Sequence, residues 1–389
     1  MGNNLNSKEL LNLFKSVFPN LRKEESMAIL TDYPSSDNHD NNDWLERRKT
    51  AYEWYIQLNK EIEDLGYKKI SLIGYYETGS NNADLPEKAF IINNKFNKKN
   101  LISEKEITIE DVYKTYTLFI ALTEYSATAP LKINAKKYGF RATTMPGFNK
   151  KMISALKIDY NEVSKRVDKI KSLLDKAIGC NVIFRAHDRE YETFFDLRFR
   201  TAHSSSGRFP NPSTAGNLPS GEAYIVPYEG EKKNIKSKTN GIIPVEINHE
   251  IVLYEIIENR AKKILSKGKE SEKEQEHLER EPAYGNIAEL GFGVLNDFGL
   301  KPINEILLDE KLGFHIAFGR SEHFGGIIGP NNFSKPSEVI HLDRIYIKEI
   351  QPEIEINELI LKFENQEDLI LIKNNIYNFI KFKSTIFTK

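Results

Sequence analysis

Cysteine is almost missing: Cys180 is the only one in 389 residues. A single thiol forbids an internal disulfide and excludes every thiolate-rich metal site, so metal binding would fall to His and carboxylates, and a reducing cytoplasm is the expected compartment. An excess of one charge sign is lacking too. Lys and Arg total 55 against 56 for Asp and Glu, a formal net charge of -1. No overall field then favours nucleic acid or anionic lipid, and a small neutral or zwitterionic partner is expected instead. No run of about 18 apolar residues occurs, and the opening "MGNNLNSKELLNLFKSVF" lacks the basic start and apolar core of a signal peptide, so neither membrane insertion nor export is expected. Gly2 could open a myristoylation signal, but Ser7 falls one position late for it. No internal repeat is present.

What is there is a globular composition: 11% aromatic residues is more than a disordered chain carries. At roughly 100 to 200 residues per domain the length predicts two domains, placed at 1–190 and 191–389. Leu10, Leu11, Phe14, Val17 and Phe18 recur at helical spacing, with Ser7 as candidate cap, and "LERRKTAYEWYIQLNKEIEDLG" predicts a second helix ending at Gly66. The nearly continuous apolar runs "KKISLIGYYET" and "TLFIALTEYS" predict strands covered on both faces in a mostly parallel sheet. "TAPLKINAKKYGF" and "YNEVSKRVDKIKSLLDKAIG" supply helices, with "RATTMPGF" and "CNVIFRA" as further strands, which makes the first domain α/β. From about residue 190 short strands such as "TFFDLRFRTA" and "EIVLYEII" predict a strand-rich α+β second domain. Within it "KGKESEKEQEHLEREP" reads as a solvated helix or loop, and the tail "NELILKFENQEDLILIKNNIYNFIKF" as terminal strand and helix.

Eight histidines raise the question of which could meet carboxylates. In "HLDRIY", His341 and Asp343 are two apart, so a strand would place both on one face, where they could share an ion; a His–Asp hydrogen bond on a surface strand is the ordinary alternative. "GFHIAFG" puts His315 on another predicted strand beside Ala317 and Gly319, small neighbours that leave room for a ligand, although a satisfied core histidine would look the same. Glu289 in "NIAELGFGV" and Glu222 in "NLPSGEAYIVP" sit in apolar, Gly-flanked segments where an unpaired carboxylate would cost several kcal/mol to bury. Each needs a cation, a salt-bridge partner, or exposure in a turn. Together the segments offer two His and three carboxylates, a set suited to one or two Zn, Mn, Co or Fe ions. The stretch "RAHDREYETFFDLRFRTAHSSSGRF", with His187, His203 and several Arg, suggests a polar pocket or ordinary strand polarity.

In order, "GNLPSGEAYIVPYEG", "NIAELGFG", "LLDEKLGFHIAFG" and "HLDRIY" resemble the metal-binding segments of the aminopeptidase T or aminopeptidase S type of metallopeptidases, and "ALTEYSATAP" with "GFRATTMPGF" resembles their N-terminal domain. The similarity spans residues 115 to 346. It implies that Glu222, Glu289, His315, His341 and Asp343 bind two divalent ions (Zn, Co or Mn), in a two-domain subunit paired as a homodimer. It further implies a metalloprotease that removes N-terminal residues from small peptides through metal-activated water, with Glu222 or Glu289 as proton shuttle.

The family places a catalytic Tyr seven residues after the His of its H-I-A-L-G motif, and this chain has Glu322 there, followed by His323. His323 could hydrogen-bond an oxyanion, whereas Glu322 could do so only when protonated. The segments also resemble 2,5-dihydroxypyridine dioxygenases, in which a two-His, one-Asp site holds a single Fe(II). That resemblance falls on His315, His341 and Asp343 and implies ring cleavage. A third implication of the lost Tyr is an inactive member serving as a binding or scaffold subunit.

Overall fold

The computed structural model describes residues 4–20, 25–36, 40–93, 101 and 104–378. Gly2, His39 and the tail beyond 378 lie outside them. The residues pack as two units, one of 1–165 with 205–221, the other of 166–204 with 222–389. The division expected at 190 differs from this packing for a plain reason: strands Gly179–Ala186 and Arg189–Asp196 form one hairpin, paired along their full length, and a cut at 190 would split it. "CNVIFRA" therefore belongs with the second unit.

The first unit is the expected α/β sheet. Five strands run parallel in the order Thr214–Asn217, Arg141–Thr144, Leu118–Leu122, Glu25–Tyr33, Tyr67–Tyr76, and Lys88–Ile92 and Lys105–Thr108 extend the edge antiparallel. Central Glu25–Tyr33, buried at all nine positions, had no counterpart in the sequence reading. Its apolar run, Met27 to Leu30, is short and flanked by charged and polar residues, too little for a period to show. The opening helix Ser7–Val17 is capped by Asn6 rather than Ser7, through a box in which Asn6 and Glu9 each bond the other's backbone N–H. The second helix ends its regular run at Lys60, and a further turn, Ile62–Leu65, stops at Gly66 in the left-handed region.

The second unit is strand-rich, as expected, and its main ladders are antiparallel. Eight strands form one sheet, and a second runs in the order His341–Ile345, Phe314–Gly319, Ile287–Gly293, Glu222–Ile225, with His203–Ser205 at its edge. The charged stretch forms helix Lys269–Arg280, of which only Ser271 and Leu278 are buried. None of the described helices is long and apolar enough to cross a membrane.

In the first unit the buried Arg141 guanidinium bonds Glu25 at 2.9 Å and the Pro19 carbonyl at 2.7 Å. Glu25 is 5% exposed, so removing its cation strands a charge in the interior. Arg141→Met is expected to cost about 3–5 kcal/mol, read as a lower urea midpoint.

Candidate metal centre

The register of the shorter sheet decides which side chains meet. Glu222 pairs with Gly293, Tyr224 with Gly291, Gly291 with His315, Glu289 with Ala317, Ala317 with Asp343, and Gly319 with His341. Residues directly opposite in an antiparallel ladder share a face. One face therefore carries Glu222, Glu289, His315, His341 and Asp343, together with Gly, Ala, Tyr224 and Ile345. The other face carries Ala223, Leu290, Phe292, Phe314, Ile316 and Phe318, all buried core.

The five polar groups converge. Glu289 lies between the two imidazoles, Oε1 3.6 Å from His315 Nε2 and Oε2 3.1 Å from His341 Nε2. His315 Nε2 is also 3.7 Å from Glu222 Oε2 and 3.9 Å from Asp343 Oδ1, and His341 Nε2 is 3.6 Å from Asp343 Oδ1. Glu222, Glu289 and His315 make one group with ligand atoms within 4.8 Å of one another, and Glu289, His341 and Asp343 a second. Both imidazoles are held from behind: His341 Nδ1–H donates to the Arg320 carbonyl at 2.8 Å and His315 Nδ1–H to the Gly313 carbonyl at 3.3 Å. That fixes the tautomer with Nε2 facing inward, the usual backing of a metal-binding histidine.

Two buried oxygens, Glu222 Oε2 and Asp343 Oδ1, accept no hydrogen bond. Orphaned carboxylate oxygens aimed at imidazole nitrogens are what a divalent ion would satisfy, so the residues fit one. Room for the His315 imidazole itself comes from Gly291, where a Cβ would lie 1.9 Å from His315 Nε2. Gly319, expected to leave room for a ligand, serves otherwise: its φ is 101° and a Cβ there would strike the Ile340 carbonyl at 2.3 Å, so it admits the neighbouring backbone.

Lys311 escaped the sequence reading. Its ammonium, 4% exposed, bonds both Glu222 and Glu310, so the salt bridge that was the alternative for Glu222 is present together with the cluster. Gly293 explains the approach, because a Cβ there would meet the Lys311 carbonyl oxygen at 2.4 Å. Burial pulls the ammonium down, yet Glu222 and Glu310 more than offset it and hold it charged. Burial pushes Glu310 up to about 8. Glu229, also missed, accepts from Asn286 Nδ2 at 2.7 Å, Ser321 Oγ at 2.6 Å and the Ile327 N–H at 2.5 Å, which pins the 320–329 loop beside the site. No sequence signal marked either residue, since Glu222 lies 89 positions from Lys311 and the partners of Glu229 lie 57 to 98 positions from it.

On that loop Glu322 binds Arg320 through both oxygens at 2.6 Å, which lowers its pKa and keeps it an anion unable to donate. His323 stays close, its ring 5.3 Å from that of His341. Tyr224, on the Glu222 face, stacks on His203 at 5.1 Å, while Phe324 packs against both Tyr224 and His341. His187 is elsewhere, in a polar cavity of about 510 Å³ with Arg185, Glu353 and Glu355 that includes none of the five cluster residues.

No protein-family model matches the chain, and no curated protein matches it. Solved structures share its fold, two of which are as follows. A 2,5-dihydroxypyridine dioxygenase from Pseudomonas putida KT2440 superposes with a TM-score of 0.60 at 14% identity, over 96% of this chain and 98% of the other. Wild-type AmpT from Thermus thermophilus gives 0.50 at 12%, over 95% and 99%. The fold is thus one found in enzymes of two different chemistries, and the likeness extends to nearly the whole chain.

Gly291→Ala is expected to leave the far-ultraviolet spectrum unchanged and weaken Zn2+ or Mn2+ binding by about tenfold or more, measured by equilibrium dialysis. A pH dependence follows from His315, which burial pulls down but Glu289, Asp343 and Glu222 raise to about 9. Because that lies above the ~6.5 of a free imidazole, the ion pairs stabilise the metal-free protein fully below about pH 6.5, a contribution that fades as pH rises through about 9. A metal competes for the same lone pair. Its affinity should climb about tenfold per pH unit for each displaced proton up to pH 9, which calorimetry in buffers of different ionisation enthalpy measures.

Proposed function

We propose that the chain is a metal-dependent aminopeptidase or closely related amide hydrolase acting on small peptides. The observation that carries this reading is Glu289, whose two oxygens face two different histidines, so that two three-ligand groups share one carboxylate. Glu289 could thus serve two ions, and paired ions would suit attack of water on an amide carbonyl. Divalent ions held there would polarise the carbonyl and lower the pKa of bound water. The chain's own groups supply the rest. Glu222, whose Oε2 has no hydrogen-bond donor, is the candidate to take the proton from water and pass it to the leaving amine when that oxygen is not given to an ion. His323 is the candidate donor to the developing oxyanion in place of the family's Tyr, and the Arg320 pairing removes Glu322 from that role.

A second reading, a mononuclear Fe(II) ring-cleaving dioxygenase, is favoured by one specific observation. Glu222 already has a cation in Lys311, which leaves His315, His341 and Asp343 as a two-His, one-carboxylate set.

The two readings separate in one assay series. The full chain loaded with Zn2+, Mn2+ or Co2+ should release the N-terminal residue from members of a dipeptide panel, and His341→Ala should lower that rate at least about a hundredfold. Silence with every metal, together with oxygen uptake on dihydroxylated aromatic rings by the Fe(II)-loaded chain, would replace the first reading with the second.

A further inference from the structure

Lys311 is not a surface lysine that happens to reach a carboxylate. Its side chain is 4% exposed, its carbonyl accepts from the Leu295 N–H at 2.9 Å, and its own N–H donates to the Leu308 carbonyl at 2.9 Å. Gly293, opposite Glu222 in the ladder, is the residue whose missing Cβ lets this backbone lie against the sheet. The ammonium is thereby built in at one end of the cluster, on Glu222 Oε1, while Glu222 Oε2 faces His315. Nothing equivalent stands at the other end: among the described residues, Asp343 and His341 have no lysine or arginine within ion-pair distance of their inward atoms.

We propose that Lys311 is a resident cation that makes the centre unequal: the first divalent ion enters Glu289, His341 and Asp343, and the Glu222, Glu289, His315 group takes a second ion much more weakly. This rests on the metal-centre reading above. The physical basis is repulsion, since a second ion must share one carboxylate with an ammonium in a buried place where charges are poorly screened. Lys311 in turn makes it affordable to bury Glu222 before any metal arrives.

The test is titration of the metal-free full chain with Mn2+, followed by equilibrium dialysis and electron paramagnetic resonance of the free ion. The wild type should bind one ion at least about tenfold more tightly than the next. Glu222→Gln should keep the first step and abolish the second. Lys311→Met combined with Glu310→Gln removes the ammonium together with the carboxyl group it also binds and should bring the two constants within about threefold of each other, whereas Lys311→Arg should preserve the gap. Should the double variant fail to fold by circular dichroism, Glu310→Gln alone decides: it leaves the ammonium to Glu222 and should widen the gap. Two equal steps in the wild type, a gap that survives the double substitution, or a narrowing in Glu310→Gln overturns the proposal. Binding of no Mn2+ at all is a different failure, that of the metal centre itself.

Discussion

Three carboxylates and two imidazoles share one face of a four-strand ladder with glycine and alanine between them, and the burial of that negative charge is the constraint around which the second unit is arranged. Glu289 and His315 are 3% and 1% exposed, so water cannot neutralise them. Each carboxylate must be balanced by a proton on a histidine, by an ammonium, or by a metal ion. The geometry accommodates all three solutions: imidazoles within ion-pair distance of Glu289, Lys311 on Glu222, and orphaned oxygens on Glu222 and Asp343 that a further cation would satisfy.

Stability and function are coupled through the same atoms. Without metal, the histidines hold their protons and the cluster is a set of ion pairs; with metal, the ion takes the place of those protons. The supporting parts act at a distance from this exchange. Arg320 and Gly313 carbonyls orient the rings, Gly291 leaves space for His315, and Glu229 ties down the loop that brings His323 and Phe324 to the rim. Apart from the local Gly313 contact, these join residues well separated in the chain.

That separation explains what a reader of the sequence could and could not see. His341 and Asp343 were legible because a strand's period of two acts within three residues. Glu222 and Glu289 stood out only as acids in apolar surroundings, and the structure grants both rival explanations to Glu222, which has its salt bridge and its place in the cluster. Lys311, Gly291 and Glu229 carry no local mark, since their significance arises from register and from loop return. In the fold, strands with long apolar runs such as Leu118–Leu122 were apparent, while the central strand Glu25–Tyr33 was hidden by its polar flanks. The division expected at residue 190 falls within a hairpin, because a change of texture there does not report which strand pairs with which.

The central claim, that this face of the sheet is a metal centre, is tested most directly by anomalous diffraction from crystals of the full chain grown with Mn2+ and measured at the manganese edge. The account predicts its strongest anomalous peak between Glu289, His341 and Asp343. An anomalous map with no peak on this face of the sheet would contradict it.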